Sequence, residues 1–157
     1  MRVGDVEADF ILSGKTGKGI LLVIVCRKLR TVFIEQIIKI NIKAVHLAFK
    51  KIKKRFPEIK TITTDNDILL AKHKKLEKIL EVKIYFCDPY SSWQKGSIEN
   101  ANKHIRKYIP KGSDISKYSK HHIKKVEEKI NNRIMECLNF FTPYEALENY
   151  RKRKKSA

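Results

Sequence analysis

The sequence predicts an α/β domain: a mixed five-stranded sheet followed by a C-terminal helical extension. Three observations predict it. Three strand-like runs follow one another up to Ile37, with only short polar turns between them. The hydrophobic period then changes from two to that of a helix. Beyond that point helical patterns and short apolar runs alternate.

Residues 6–12 form the first run, alternating at the start and apolar at the end. Residues 13–19 (SGKTGKG) are a glycine- and lysine-rich turn. Residues 20–26 are an unbroken run of leucine and β-branched side chains, which suits a central strand buried on both faces. Residues 27–30 (RKLR) make a polar turn and residues 31–37 a third strand. Short turns between consecutive strands predict an antiparallel meander. Ile42, Val45, Phe49 and Ile52 then recur at helical spacing, and Pro57 closes that helix. Residues 59–64 (IKTITT) are a short strand ending at Asp65. A helix follows around residues 70–80, with Leu70, Leu76, Ile79 and Leu80 as core positions and His73 beside them. Residues 82–87 are a fifth strand, residues 88–96 (DPYSSWQKG) a loop, and residues 97–108 a helix ended at Pro110. The order β-β-β-α-β-α-β-α is that of a ribonuclease-H-like fold. Ile123, Val126 and Ile130 share a later helical face, and Thr142, Pro143 and Glu145 supply a cap, a first-turn proline and a T-x-x-E box. Residues 1–112 therefore read as the ribonuclease-H-like core, 113–150 as a helical extension of the same domain, and 151–157 as a mobile basic tail.

A length of 157 residues fits one domain, and 42% apolar residues are enough for a hydrophobic core. Lysine and arginine number 35 against 17 acidic residues, a formal charge of +18. A globular domain so positive repels itself unless it meets a polyanion, and DNA or RNA is the natural partner. Cys26, Cys87 and Cys137 are far apart and form no C-x-x-C pair, which excludes a zinc knuckle and a disulfide framework. The first nine residues already carry Asp5, Glu7 and Asp9, so no signal peptide is read, and the longest apolar run is too short to span a bilayer. A soluble, cytoplasmic protein with access to DNA is expected. Neither an RNP-type aromatic motif nor a glycine-rich KH clamp is present.

Two-metal phosphoryl transfer needs several carboxylates converging from rigid places, because hard divalent ions prefer oxygen ligands. Asp9 in the first strand, Asp65 at the end of the fourth and Glu99 early on the following helix meet that description. Asp5, Glu7 and Asp9 share one strand face, so pattern alone leaves Asp5 open beside Asp9. Lys95, Glu99, Lys103 and Arg106 fall on one helical face, with Ile98, Ala101, Ile105 and Tyr108 opposite.

At residues 84–108 (IYFCDPYSSWQKGSIENANKHIRKY) the chain resembles the transposases of the IS-thirty family of bacterial insertion sequences, within the DDE integrase superfamily. The stretch is similar to the family's strand, D-P-Y-S-x-W-Q-K/R-G-S loop and E-N-x-N helix. Residues 4–9 (GDVEAD) are similar to its G-x-W-E-G-D segment, and Asp65-Asn66 to its T-x-D-N-G segment. Residues 110–118, Asn131-Asn132-Arg133 and Thr142-Pro143 extend the likeness over nearly the whole chain. The resemblance implies a catalytic and metal-binding triad of Asp9, Asp65 and Glu99. It implies Mg²⁺, with Mn²⁺ able to substitute, and DNA strand cleavage followed by strand transfer at transposon ends and target DNA. Lys95, Asn100, Asn102, Lys103 and Arg106 would lie near the active site as DNA contacts or supports. Trp93 and Gln94 would sit in the loop entering the helix. Transposition pairs two ends, so a homo-oligomer is the expected working form.

Two departures stand out. The family's N-terminal helix-turn-helix region has no counterpart in this sequence. Asp67 replaces the glycine after D-N, where a positive-φ turn would be strained by a side chain, and Leu69 and Leu70 replace the acidic-aromatic pair beyond it. These departures motivate a second reading: a truncated, inactive remnant that only binds DNA.

Overall fold

The computed structural model describes residues 2–88 and 96–157. Five strands, β1 (Asp5–Leu12), β2 (Ile20–Cys26), β3 (Val32–Ile37), β4 (Thr61–Thr64) and β5 (Lys83–Phe86), form one sheet in the order β3-β2-β1-β4-β5. The first three make the antiparallel meander, and β1, β4 and β5 run parallel. The sheet is mixed, as the element order predicts. Every residue of β2 is buried, because apolar layers cover both faces of the sheet.

One layer holds α1 (Ile42–Arg55) and α2 (His73–Leu80), whose Val45, Phe49, Ile52, Leu76 and Leu80 pack on Val6, Ala8, Leu22 and Ile24. The other holds α3 (Gly96–Ile105) and α4 (Lys120–Asn131), whose Ile98, Ala101, Ile105, Ile123 and Val126 pack on Ile11, Leu21, Val23 and Val25. The alternation of β1 thus sends Val6 and Ala8 to one layer and its odd-numbered side chains toward α3.

The helix expected over residues 70–80 is split. Asp67 caps a single 3-10 turn at Ile68–Leu70, and α2 starts only at His73. Ile79, expected in the core, is 39% exposed. The buried stripe of this short helix is the i, i+4 pair Leu76 and Leu80. The basic tail is helical over most of its length. Residues 151–156 continue α5 (Pro143–Ser156), which starts at the expected Thr142–Glu145 capping box. Lysine and arginine are good helix formers and favour a helix C-terminus. Arg151 further ties that end down through the Glu58 carboxylate (3.1 Å) and the Arg55 carbonyl (3.1 Å).

β3 is an edge strand, and α4 seals it. The Asn131 side chain accepts from the Val32 amide and donates to the Val32 carbonyl, both at 2.8 Å. One turn earlier, Glu127 accepts from the Ile34 amide (2.7 Å). Gln36 donates to the carbonyls of Ile115 and Tyr118 (2.9 and 2.8 Å). Side chains of the extension therefore take the place of a sixth strand.

His46 on α1 is only 7% exposed, and its Nε2 is buried without a partner. Burial first, then the Lys75 and Lys72 charges, hold its pKa below the ordinary value of 6.5. The unfolded chain therefore binds this proton more readily than the fold does. The stability it contributes is present above pH 6.5 and is lost as pH falls through the lowered folded value. Urea midpoints are expected to drop between about pH 7.5 and about pH 5.5, and His46→Leu to reduce that drop. An unchanged pH slope in the variant would remove His46 from this account.

Candidate active site

The parallel β1–β4 ladder pairs Asp5 with Thr61, Val6 with Ile62 and Glu7 with Thr63. The same register carried two residues further sets Asp9 level with Asp65, on chains about 4.8 Å apart. Asp65 immediately follows β4 and is exposed. Asp9, midway along β1, is thus brought level with Asp65, which follows the carboxyl end of the adjacent parallel strand β4. Asp5 lies at the other end of β1. It accepts from the Thr61 hydroxyl (2.8 Å) and pairs with Arg2 (3.2 Å). Burial is the largest single influence and pushes its pKa up, but the bonds from Thr61 and Arg2 together outweigh it and bring the pKa below the ordinary value. Geometry separates the two acids that pattern leaves open.

The third acid, Glu99, is on the first turn of α3 and exposed. That helix meets β1 at Asp9. The Asn102 amide donates to Asp9 Oδ2 (3.1 Å), while the Phe10 backbone donates to Asp9 Oδ1 (2.9 Å). Asn102 stands nearly one turn beyond Glu99, so this bond fixes the carboxylate-bearing helix against the carboxylate-bearing strand.

Sequence reasoning gave Glu7 no role, yet it anchors the start of α3. Its side chain is 2% exposed; Oε1 accepts from the Ile98 amide (3.2 Å), and Oε2 pairs with Arg27 Nε (3.1 Å). Arg30, held at φ 61° in the same β2–β3 turn, donates to the Ser97 hydroxyl (2.7 Å). The amides of a helix's first turn need acceptors, and a buried carboxylate needs a cation, so the two requirements satisfy each other. The available signal was the glutamate two positions before Asp9, facing the same way, together with the arginines of the next turn.

The other candidates divide. Lys95, Trp93 and Gln94 lie outside the described residues. Asn100 and Lys103 are exposed. Asn102 is engaged with Asp9, although its Oδ1 is buried without a partner. Arg106 donates to the carbonyls of Leu12 (3.2 Å) and Pro110 (3.4 Å), a strut between α3 and the loops below it. Burial lowers its pKa from the ordinary value. Asp67 is not strained: it has φ −104° and accepts from the Leu69 amide (2.8 Å). The positive-φ turn expected there is absent, because the aspartate caps a 3-10 turn instead.

Among the described residues no three His, Cys, Asp or Glu side chains stand close enough together to hold a metal ion. The donor chemistry nevertheless fits a hard divalent cation. Asp9, Asp65 and Glu99 offer only oxygen, and Asn102 Oδ1 is a buried oxygen acceptor beside Asp9 that none of the described residues satisfies.

No family model matches the chain. Among curated proteins it is 43% identical over 145 residues to the transposase for insertion sequence element IS4351 of Bacteroides fragilis, covering 92% of this chain and 44% of that protein. The chain belongs to the insertion-sequence transposases. Transposase InsI for insertion sequence element IS30A of Escherichia coli K12 is 42% identical over 89 residues, or 57% of this chain and 23% of that one. The chain spans less than half the length of these relatives. In structure it resembles the catalytic core domain of BIV integrase, with a TM-score of 0.75 over 98% of this chain and 99% of that one. At 17% identity that likeness shows the fold, an integrase-core, ribonuclease-H-like one.

Proposed function

We propose that this transposase chain is the catalytic core that cuts DNA and joins the freed strand to a target by metal-assisted phosphoryl transfer. The observation that carries the reading is the Asn102–Asp9 bond, which holds the Glu99 helix against the strand whose register reaches Asp65. Asp9, Asp65 and Glu99 would hold Mg²⁺, or Mn²⁺ in its place. Bound there, the metal would activate an attacking oxygen and stabilise the leaving one. Asn102 orients the Asp9 carboxylate, Glu7 and Arg27 fix the start of α3, and Arg106 braces its end. Lys95, Asn100 and Lys103 contact DNA phosphates beside the acids. Residues 1–112 form the catalytic core, residues 113–150 the extension that closes its β3 edge, and the basic tail of residues 151–157 carries the last turns of α5. The DNA is a transposon end and its target, brought together by a homo-oligomer in the cytosol. Among the described residues no helix is long and apolar enough to cross a membrane.

A second reading, an inactive remnant that only binds DNA, is favoured by one fact: among the described residues the acids do not converge into a ready metal site. Supercoiled plasmid separates the two. Open circles are expected with Mg²⁺ or Mn²⁺ and none with EDTA. Plasmid that is bound but left uncut in both metals would establish the remnant.

A further inference from the structure

The glycine- and lysine-rich loop at residues 13–19 has no role in the chemistry above, yet it is closely built. It joins β1 to β2 at the end of the sheet that carries Asp9 and Asp65. It is docked along its length on the distant segment 110–116. The Gly14 amide donates to the Ser113 carbonyl (3.0 Å), the Lys18 amide to Asp114 Oδ1 (3.0 Å) and the Ser116 amide to the Lys18 carbonyl (2.8 Å). The Ile115 amide donates to Ser13 Oγ (2.9 Å), and that hydroxyl lies 2.8 Å from the Lys18 and Gly19 carbonyls.

Glycine is required for this contact. A Cβ on Gly14 would stand 2.4 Å from the Gly112 carbonyl oxygen, and one on Gly17 would stand 2.8 Å from Ser13 Cβ. Gly112 itself has φ +91°. Ile115, fully buried, pins the second loop into the core.

The join uses backbone and short side chains only, and the lysine side chains take no part in it. Lys15, Lys18 and Lys111 are exposed, and among the described residues none of them forms an ion pair. Asp114 is the one acid in either loop. Its oxygen is occupied by the Ser116 hydroxyl and by the Lys18 and Ser116 amides, and these bonds hold its pKa below the ordinary value. A nucleotide-cradling glycine loop would lead into a helix N-terminus. This one leads into a strand, and several of its backbone groups are bonded to the second loop.

Arg106 connects this platform to the site. Its two bonds reach Leu12, just before the first loop, and Pro110, at the start of the second. It lies one turn beyond Asn102, the residue that holds Asp9. A path therefore runs from Glu99 through exposed Lys103 and Arg106 to Lys111, Lys15 and Lys18.

We propose that the paired loops form a rigid phosphate-binding ledge for the backbone of duplex DNA flanking the cleaved position. A fixed cation platform suits a regular polyanion, because its charges need little ordering on contact. The inference rests on the reading of the chain as a DNA-acting transposase core.

The test is binding of the full chain to a duplex of about 30 base pairs, by fluorescence anisotropy across a range of salt. Replacing Lys15, Lys18 and Lys111 together by glutamine should make the log–log salt dependence shallower by about two to three, near 0.9 for each phosphate no longer neutralised. Affinity should fall about tenfold or more at moderate salt, with an unchanged melting temperature. Gly14→Val keeps every charge but parts the loops, and should also weaken binding. A folded triple variant with the parent's salt slope would overturn the ledge, as would polyglutamate competing as well as DNA at equal charge. Failure of the parent chain to bind DNA would instead overturn the functional reading beneath it.

Discussion

Glu99→Gln is expected to abolish metal-dependent nicking, on the order of 10²-fold or more, and to leave fold and DNA binding in place. The substitution keeps the size and shape of the side chain and removes its charge. Among the described residues Glu99 makes no hydrogen bond or ion pair and is exposed, so no structural bond is lost. Its position in the first turn of α3 gives it a favourable interaction with the helix dipole, which costs roughly 0.3–1 kcal/mol to remove. That is too little to unfold a domain of ordinary stability. DNA binding should hold or tighten slightly, since one negative charge leaves a surface shared with Lys103. Initial nicking rates, melting curves and duplex affinities measured side by side decide the matter. A Gln variant that nicks at the parent rate would remove Glu99 from the chemistry, and with it the assignment of α3 as the catalytic helix.

The three candidate acids stand out in sequence because each sits at a place that local pattern marks: a strand, a strand end, a helix start. Their relative placement was only partly legible. Pattern alone left Asp5 open beside Asp9, and only the resemblance preferred Asp9; the β1–β4 register and the Asn102 bond that set the two apart join residues far apart in the chain. The role of Glu7 was hidden for the same reason. A buried carboxylate in a strand reads as an error until Arg27 and the Ile98 amide are seen beside it. The strand meander was readable, since polar turns and unbroken apolar runs are local signals. The break between the 3-10 turn at Ile68–Leu70 and α2 was not, because Asp67 caps a turn inside a pattern that continues as apolar helix. The loop at residues 13–19 was recognisable as a turn, while its docking partner lies about a hundred positions away.

Asn131→Leu is expected to lower the stability of the chain by about 2–5 kcal/mol. Asn131 is completely buried, and its amide satisfies both backbone groups of Val32 on the free edge of the sheet. Leucine has similar bulk and can bond neither. Each backbone group left unpaired away from water costs about 1–3 kcal/mol, and the added apolar burial offsets only part of that. In a domain of this size the melting temperature should fall on the order of 5–15 °C. Glu127→Gln should be much milder. Its amide oxygen can still accept from the Ile34 amide, and Arg55, which pairs with the Glu127 carboxylate, keeps Glu35 as a second partner at 3.7 Å. The contrast matters because a plain packing role would not distinguish the two positions. Opening the β3 edge also exposes a strand template, so the Asn131 variant should self-associate beyond the parent's own state in size-exclusion runs at equal concentration. Equal urea midpoints for parent and Asn131→Leu would show that water, and not α4, satisfies the edge. A large loss would show why the extension accompanies the core. β3 pairs with β2, and β2 supplies the apolar face on which α3 rests with Glu99 on its outer side.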